Sequence, residues 1–483
     1  MWKQRAIKAL ILLLAAMVFL SACSSGNSSN SSNSSGGGSS SGGNASQSSG
    51  SSSGGSGGDK PLAGVTLNVL AIQDPFFDPL KNAIPEFEAL TGAKVNLEGV
   101  EYNGLRNKIV LDNVGGSGTY DIISLDTMWT GEFVEAGYII PLDDYVNRDA
   151  AEFDPGDIPQ PLWEAYKWKG KTYGVPLSPY TKLVLYRKDL WEDPNNQSRF
   201  KAKYGYDLQP PKTWDQFRDM AEFFTGDWGN GQQGYGVAFN AKQGASIVHM
   251  FYAYADNFGA KWFKSYPQEP WDFTPMINTP EAVEALEFYV GLRKFAPPEV
   301  VDFEWFDTGG AFWNGQVAMI DHWSVYASMA SDPSQSKIVG NIAAAIPPGK
   351  TEDMAGSQMG GWALSINSIS KQQDAAWEFV KWATGKETML KMVTENVFDA
   401  VSRESVLSDP AVQEKYPWAQ TYLESLKVAN PEYKPRIPAY VQMEEVLGVE
   451  LNAAMLGAVT PQQALDTAQE KIIQILKHAQ LID

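Results

Sequence analysis

Hydrophobic positions follow three different patterns along this chain. Residues 9–20 form a continuous apolar run, residues 24–58 are almost only Ser, Gly and Asn, and the rest mixes apolar and polar positions with the periods of strands and helices. The middle segment has no charge and no large apolar residue, so it cannot offset its conformational entropy by burying surface. We therefore predict a folded body, starting at Asp59, that follows a flexible segment.

The first elements of this body alternate between strand and helix. Residues 65–70 predict a strand, residues 80–90 predict a helix that ends at Gly92, and residues 93–97 predict the next strand. Two strands joined through a helix pair in parallel. The pattern favours an α/β fold with helices on both faces of a sheet.

A further buried strand is predicted at residues 120–125, ending at Asp126 and followed by a helix at residues 130–137. Ligands of open α/β sheets gather outside the carboxyl ends of the strands. Asp126 is therefore a candidate ligand contact, although capping the next helix would also explain it.

Later segments are mostly helical, with clear starting signals. Thr279 and Pro280 predict the start of a helix over 281–295, and Thr460 with Gln463 forms a capping box ahead of a helix over 464–476. Residues 374–384 predict another helix. After residue 20, no apolar run approaches the roughly 20 residues that span a bilayer.

The segments at the amino terminus follow the order that is typical of a lipoprotein signal peptide. Basic residues precede the apolar run, which ends in Leu20-Ser21-Ala22-Cys23. We predict a signal peptide over 1–22, lipidation of Cys23 and a tether over 23–58 that spans about 30 Å. A plain secretory signal is the alternative to the lipoprotein signal, and a glycosylated stalk is the alternative to the tether. The expected location is extracytoplasmic, at the outer face of the cell membrane.

Composition limits the classes of partner and cofactor that we expect this protein to bind. The formal net charge of −19 argues against nucleic acid or anionic lipid, which leaves the lipid anchor as the membrane contact. Three histidines, far apart in sequence, give no metal-ligand spacing, and we expect no cofactor. The 16 Trp, 20 Tyr and 22 Phe offer flat rings that can stack on the C–H faces of sugars or fill a core.

Four segments together resemble the extracellular solute-binding proteins of ABC importers, in the family that includes the maltose-binding protein. In chain order they are PEFE with TGAKV (residues 85–88 and 91–95), YDII with AG and PLD (120–123, 136–137 and 141–143), GKTYGVP with LYRKDL and PKTW (170–176, 185–190 and 211–214), and FWNGQVAM with PPG and GGWAL (312–319, 347–349 and 360–364).

The resemblance implies a type II periplasmic-binding-protein fold, in which two discontinuous α/β lobes close on a ligand and hinge strands cross between them. The implied boundaries are 59–178 and 362–405 for the first lobe and 179–361 and 406–483 for the second, with crossings near residues 178–181, 359–362 and 402–410. It implies a monomeric, lipid-anchored receptor without catalysis, which delivers a carbohydrate or polyol to the permease subunits of an ABC transporter.

The resemblance also suggests ligand contacts, of the types that bind hydroxyl pairs and stack on sugar rings. They are Gln73 and Asp74 in the first cleft loop, Asp126, Tyr180 in the first crossing, Gln243, Trp323, Gly361 and Trp362 in the second crossing, and Arg403 in the third. The sequence around Trp323 departs from the family pattern, which leaves open whether Trp323 or Tyr326 is the stacking platform.

Two other functions fit parts of the sequence. A secreted glycoside hydrolase would also use aromatic rings together with a carboxylate pair. The same fold could instead bind a polyamine, a peptide or a metal chelate.

Overall fold

The computed structural model describes residues 60–73, 75–229, 231–395 and 401–483. The predicted signal peptide, Cys23, the predicted tether and Asp74 lie outside these ranges.

Strands are numbered in chain order within the described ranges. They are β1 (Thr66–Ile72), β2 (Lys94–Val100), β3 (Ile122–Asp126), β4 (Lys167–Trp168), β5 (Lys171–Thr172), β6 (Val175–Arg187), β7 (Gly226–Asp227), β8 (Gln233–Ala238), β9 (Phe263–Ser265), β10 (Asp272–Pro275), β11 (Val317–Trp323), β12 (Ile342–Ala345) and β13 (Met359–Ile366).

Helices are numbered in the same way. They are α1 (Asp78–Thr91), α2 (Tyr102–Gly115), α3 (Thr130–Ala136), α4 (Asp143–Arg148), α5 (Ala150–Phe153), α6 (Gln160–Ala165), α7 (Lys188–Glu192), α8 (Pro194–Tyr204), α9 (Trp214–Phe223), α10 (Ala245–Asn257), α11 (Pro280–Gly291), α12 (Trp305–Trp313), α13 (Val325–Ser331), α14 (Gln373–Ala383), α15 (Lys386–Glu395), α16 (Glu404–Leu407), α17 (Pro410–Lys415), α18 (Ala419–Val428), α19 (Tyr440–Leu456) and α20 (Pro461–His478).

One large mixed sheet organises the molecule. Its strand order is β2-β1-β3-β13-β6-β11-β8-β7, and β12 pairs with β6 beside this path. Pairing is parallel for β2-β1-β3 and for β11-β8, and antiparallel where β13 and β6 join these groups. We call β1, β2, β3 and β13 the first half of the sheet, and β7, β8, β11 and β12 the second half.

Strand β6 belongs to both halves. Its first part pairs with β13 as far as Thr181, whereas from Lys182 onward it pairs with β11 and then also with β12. The pairing of β6 therefore changes beside the crossing predicted at residues 178–181. The lobe boundaries given above stay a prediction.

Local signals read from the sequence are confirmed at several elements. Helix α1 ends at Gly92, which has a φ of 81° in the left-handed region that glycine tolerates. Thr279 caps α11 by accepting from the Ala282 amide, and the Thr460–Gln463 capping box starts α20. The predicted parallel pairing of β1 with β2 is also confirmed.

Among the described residues, no helix combines the length and the apolar character that crossing a bilayer would require.

Candidate functional site

The carboxyl ends of the parallel strands β1, β2 and β3 carry an aromatic cluster. Phe77 follows β1, Tyr102 follows β2, and Trp129 follows β3. Trp362 on β13 lies among them, with ring centroids 6.4 Å from Phe77, 6.0 Å from Tyr102 and 5.6 Å from Trp129. We call these four residues the first wall; the other three rings meet Trp362 edge-on, and together with Asp126 the wall is largely apolar with one acidic group.

Asp126 has two functions in this wall. One carboxylate oxygen accepts from the Met128 amide at 3.4 Å and so caps the short helix Thr127–Trp129, while the other accepts from the Tyr102 hydroxyl at 3.0 Å. Burial raises the pKa of the Asp126 carboxyl, against the lowering effect of the nearby Lys434 charge. The capping role and the ligand role considered from the sequence are thus compatible in the geometry.

A second wall comes from the other half of the sheet and from the helices packed on it. It consists of Trp323 at the end of β11, Trp305 at the start of α12, His249 on α10, Glu444 on α19, and Tyr433 with Lys434 in the loop between α18 and α19. These side chains combine rings with hydrogen-bonding groups of both signs.

Lys434 is the central cation of this wall. It is only 2 % exposed, and its Nζ lies 5.0 Å from the Tyr433 ring centroid and 5.9 Å from that of Trp323. Burial lowers the pKa of Lys434 to about 8, although the charges of Asp126 and Glu444 favour its protonated form. In the described part of the chain Lys434 forms no ion pair, and its ammonium group lies against the two rings.

Glu444 lies in a small hydrogen-bonded network. It accepts from His249 Nε2 and from the Tyr440 hydroxyl, both at 2.8 Å. Burial lowers the pKa of His249 to about 4, helped by the Lys434 charge, so His249 is neutral at pH 7 and donates its Nε2 proton. Burial acts to raise the pKa of Glu444, but these hydrogen bonds and the Lys434 charge outweigh it and keep Glu444 ionised.

The two walls touch. The rings of Tyr102 and Trp305 are 6.1 Å apart, and the main-chain carbonyl of Trp305 accepts from His322 Nε2 at 2.9 Å. Burial lowers the pKa of His322 to about 3, so His322 donates as a neutral ring. Among the described residues, Trp305 Nε1 and the Tyr433 hydroxyl are buried without a hydrogen-bond partner. Buried donors of this kind normally have a partner, so both atoms retain the capacity to donate one hydrogen bond.

Three of the predicted site residues meet here. Asp126 and Trp362 are register partners in the β3–β13 ladder of the first wall, and Trp323 belongs to the second. Gly361 and Tyr180 lie where β13 and β6 pair between the walls. A Cβ on Gly361 would lie 2.4 Å from the Ser178 carbonyl oxygen, and its φ of 111° also requires glycine.

The geometry distinguishes Trp323 from Tyr326. The Trp323 ring lies within 6 Å of the ammonium groups of Lys182 and Lys434, beside Gly360. The Tyr326 ring instead stacks on His322, with centroids 4.0 Å apart. Trp323 is therefore the ring that faces the charged centre of the second wall.

Three other predicted residues lie elsewhere or are engaged otherwise. Gln73 and Gln243 are exposed, and their contacts do not join them to the walls in the described structure. Arg403 is buried, and its guanidinium donates to the carbonyls of Thr384, Phe153 and Asp154 and to Asp157. These partners correct the expectation for Arg403: its hydrogen bonds join chain segments and are not directed at the walls.

Sequence reasoning missed several wall residues: Phe77, Tyr102, Trp129, His249, Trp305, Tyr433, Lys434 and Glu444. One signal was available. Tyr433 and Lys434 lie between Pro431 and Pro435 in a short inter-helix stretch, and an aromatic and a cation held by prolines are typical of a rigid contact loop. The single wall residues on α10, α12 and α19 have no comparable sequence motif beside them.

Within the described residues, no group of three or more His, Cys, Asp and Glu side chains is arranged to hold a metal ion.

Comparison with known proteins places the chain in a family. Residues 73–390 match the profile of the bacterial extracellular solute-binding protein family. The mannitol-binding protein of Pseudomonas aeruginosa is 26% identical over 405 residues, covering 79% of this chain and 86% of that protein.

Solved structures agree with this match. An ABC-transporter solute-binding protein of Agrobacterium radiobacter K84, in complex with ribitol, superposes with a TM-score of 0.75 at 31% identity, covering 85% of this chain and 99% of the other. A solute-binding protein of Agrobacterium vitis S4 with bound D-mannitol gives a TM-score of 0.70 at 26% identity, covering 86% and 99%. The chain belongs to the bacterial extracellular solute-binding protein family and has the two-lobed, mixed α/β fold of type II periplasmic binding proteins.

Proposed function

We propose that this protein captures a linear polyol or a single sugar between the two walls and delivers it to an ABC-transporter permease. The observation that carries the proposal is the set of buried hydrogen-bonding groups on facing aromatic walls. Lys434, Trp305 Nε1 and the Tyr433 hydroxyl are donors without a hydrogen-bonded protein partner among the described residues, and Asp126 is an acceptor opposite them.

Aromatic rings on both sides suit such a ligand. The C–H faces of a polyol or sugar can pack on Trp362 and Trp323, while its hydroxyls meet polar groups at the edges of the rings. The family relatives that bind ribitol and mannitol support this ligand class.

The charges favour a neutral ligand. Asp126 and Glu444 are balanced by the buried Lys434, and Lys182 adds a second buried amine beside Trp323. A polyamine would bring its cations against these two lysines, which is electrostatically unfavourable at low dielectric. The arrangement therefore supports a polyol or sugar over a polyamine.

The proposal includes no chemical step. Each carboxylate of the site is already bound by protein donors, Asp126 by Tyr102 and the Met128 amide, and Glu444 by His249 and Tyr440. A glycoside hydrolase instead directs a carboxyl pair at the scissile bond. Incubation with oligosaccharides should accordingly produce no new reducing ends.

Titration calorimetry with a panel of ligands tests the proposal. We expect saturable binding of at least one of ribitol, mannitol, erythritol or a monosaccharide, and none of spermidine. Trp362→Ala should weaken this binding by roughly five- to a hundred-fold, the effect of losing about 1 to 3 kcal/mol of ring contact. The matched control is Trp382→Ala, because Trp382 packs on Phe87 and Phe379 and not on the walls. Binding of spermidine alone would contradict the proposal.

The anchor and the partners belong to the same proposal. A lipid on Cys23, with residues 24–58 as a tether, would keep the binding body at the outer membrane face near the permease. The protein would act as a monomer, with the lipid as its membrane contact.

A further inference from the structure

The loop between α18 and α19 contacts parts of the molecule that lie on opposite sides of the site. We call residues 429–439 the bridging loop. The carbonyl of Tyr433 accepts from Trp262 Nε1 at 2.7 Å, and the Arg436 amide donates to the Tyr266 hydroxyl at 3.3 Å. The Trp262 ring packs on Phe251 and Tyr252 of α10, the helix that carries His249, so the loop is fastened to the side of the molecule that carries the second wall.

The side chain of Arg436 reaches the other side. Its Nη1 lies 2.8 Å from the carbonyl oxygen of Glu164, 2.7 Å from that of Ala165 and 3.0 Å from that of Lys167. Glu164 and Ala165 end helix α6, whose last carbonyls have no partner within the helix. A guanidinium is suited to these carbonyls because it is a cation with donors in a fork at the negative end of a helix.

The segment that Arg436 grips is attached to the first wall. Lys167 and Trp168 form β4, and Trp168 Nε1 donates to Glu135 of α3 at 2.8 Å. Helix α3 begins directly after Trp129. The grip of Arg436 therefore joins the loop that carries Lys434 to the helix that follows the first wall.

Gly131 is a point of close approach between helix α3 and the bridging loop. A Cβ built on Gly131 would lie 2.1 Å from the Arg436 carbonyl oxygen and 2.8 Å from Trp168 Cη2. Gly131 sits inside helix α3 with no left-handed φ, so its own backbone would accept alanine. Glycine is therefore required by the close approach of the bridging loop and of the Trp168 ring, and not by the backbone conformation.

A second contact spans the same gap. The ring of Trp168 lies 5.1 Å from that of Trp271, which directly precedes β10. Trp271 is held on its own side by its Nε1, which donates to the Pro267 carbonyl at 2.9 Å. The contact region thus pairs a charged hydrogen-bonding grip with a tilted aromatic pair.

We propose that the bridging loop is a latch that holds the lobes closed. Arg436 is its grip, the side chain that binds the opposite side, and Gly131 is its seat, the position on which the loop packs. The proposal rests on the proposed function for the identity of the ligand, but the two contact residues of the latch, Arg436 and Gly131, lie outside the two walls. Because Lys434 and Arg436 are two residues apart on one proline-flanked loop, a ligand that fixes Lys434 also positions the grip. Arg436 and Gly131 are positioning residues, and they act on closure without touching the ligand.

The test measures the separation of the lobes directly. Spin labels are placed on two exposed side chains of the full chain, through Leu111→Cys on α2 and Val449→Cys on α19, with Cys23→Ser in the background. Double electron-electron resonance then reports the distance distribution with and without ribitol or mannitol. The test variants are Gly131→Ala, which fills the seat, and Arg436→Lys, which keeps the charge but loses the fork. Gly291→Ala is the matched control, because a Cβ there meets nothing within 4 Å.

We expect Gly131→Ala to move the labels from the short distance toward a longer one, with Arg436→Lys intermediate and Gly291→Ala unchanged. A tenfold smaller closed population should raise the Kd about tenfold. The change should appear in the dissociation rate, measured by stopped-flow tryptophan fluorescence, and leave the association rate nearly unchanged. A role in folding alone would not separate these two rates.

The outcomes separate the latch from the proposed function. If Gly131→Ala keeps the wild-type distances and dissociation rate, the latch is wrong even though the ligand binds. If no polyol or sugar binds the wild type, the proposed function fails, and the ligand-free distances still decide: loss of the short distance in Gly131→Ala upholds the latch. If the ligand-free wild type and Gly131→Ala then give identical distance distributions, the latch is wrong. A wild type that never shows the short distance would also overturn the latch.

Discussion

Three charged side chains set the electrostatics of the site. Lys434 is buried near Asp126 and Glu444: both carboxylates act to raise the pKa of Lys434, and its charge acts to lower the pKa of each of them. Neutral His249 and the Tyr440 hydroxyl complete the hydrogen bonding of Glu444, whereas Asp126 shares its carboxylate between a cap and Tyr102. The ammonium group of Lys434 therefore has the freedom to bind a ligand hydroxyl.

Ligand affinity should fall as the pH rises above about 8. The free protein holds the pKa of Lys434 at about 8, and a hydroxyl that accepts from the ammonium group raises that pKa in the complex. The complex then binds more protons than the free protein above pH 8, so the Kd rises by up to about tenfold per pH unit. Titration calorimetry between pH 6.5 and 9.5, with a suitable buffer at each pH, measures this change in Kd.

Lys434→Met is the comparison for this profile. It should bind more weakly at pH 7 and show a flat Kd over the same range, because the titrating group is gone. Asp126, Glu444 and Lys182 are the charged groups that face Lys434, and they remain in the variant. A wild-type profile that is flat, or a variant profile that still slopes, would assign the titration to another group.

At the scale of elements, Arg403 joins segments that are distant in sequence. It links the end of α14 to the loop after α5 through Thr384, Phe153 and Asp154, and it pairs with Asp157. Arg403→Met should lower the free energy of unfolding by roughly 3 to 5 kcal/mol, the cost of breaking a buried charged pair from one side. Urea unfolding measures this change.

The same variant also tests the role that the family resemblance suggested for Arg403. In the folded fraction, ligand affinity should stay at the wild-type value, since the guanidinium is bound by protein groups. A large loss of affinity with little loss of stability would restore Arg403 as a ligand contact.

The pairing of β13 with β6 requires glycine at position 361. Gly361→Ala would place a Cβ 2.4 Å from the Ser178 carbonyl oxygen and would strain a φ of 111°. We expect a loss of stability of roughly 1 to 3 kcal/mol from the backbone strain, with the clash in addition. Thermal unfolding beside Gly115→Ala, which meets nothing within 4 Å, checks the prediction. Equal melting temperatures for the two variants would refute it.

Local elements were more predictable than the site they build. The helix end at Gly92 and the caps at Thr279 and Thr460 follow from chemistry within a few neighbouring residues, so the sequence shows them. Asp126 was proposed as a ligand contact because it ends a strand with a clear pattern, and Trp362 because its segment resembles the family's second crossing; the two are register partners in the structure. The second wall instead depends on which helices pack together.

His249 illustrates this limit. It lies among the buried apolar residues of α10, and only the packing of α10 against α19 brings it to Glu444. Arg403 illustrates the converse, because a motif position near a predicted crossing does not show that Thr384 and Phe153 will occupy its donors. Contacts between residues separated by about two hundred positions are fixed by the tertiary fold.

At the scale of the whole molecule, the anchor and the binding body should be separable. Deleting most of residues 24–58 should leave the Kd for the ligand unchanged, because the walls are built from residues after 76. Cys23→Ala should leave the protein without a lipid, and cell fractionation with mass spectrometry should find it unprocessed or released. A correctly cleaved Cys23→Ala protein that stays on the membrane would refute lipidation, and a changed Kd on deletion would refute the tether.

Strand β6 has a consequence for how the protein unfolds. Its first part lies beside β13 and its second part lies between β11 and β12, so one continuous segment of thirteen residues completes both sides of the sheet. A chain cut within β6 would leave each piece with an incomplete sheet edge, open to pairing with other chains. Denaturant should therefore unfold both lobes in one transition with a single midpoint, and a genetic split at Thr181 should yield fragments that recover native structure only when they are refolded together.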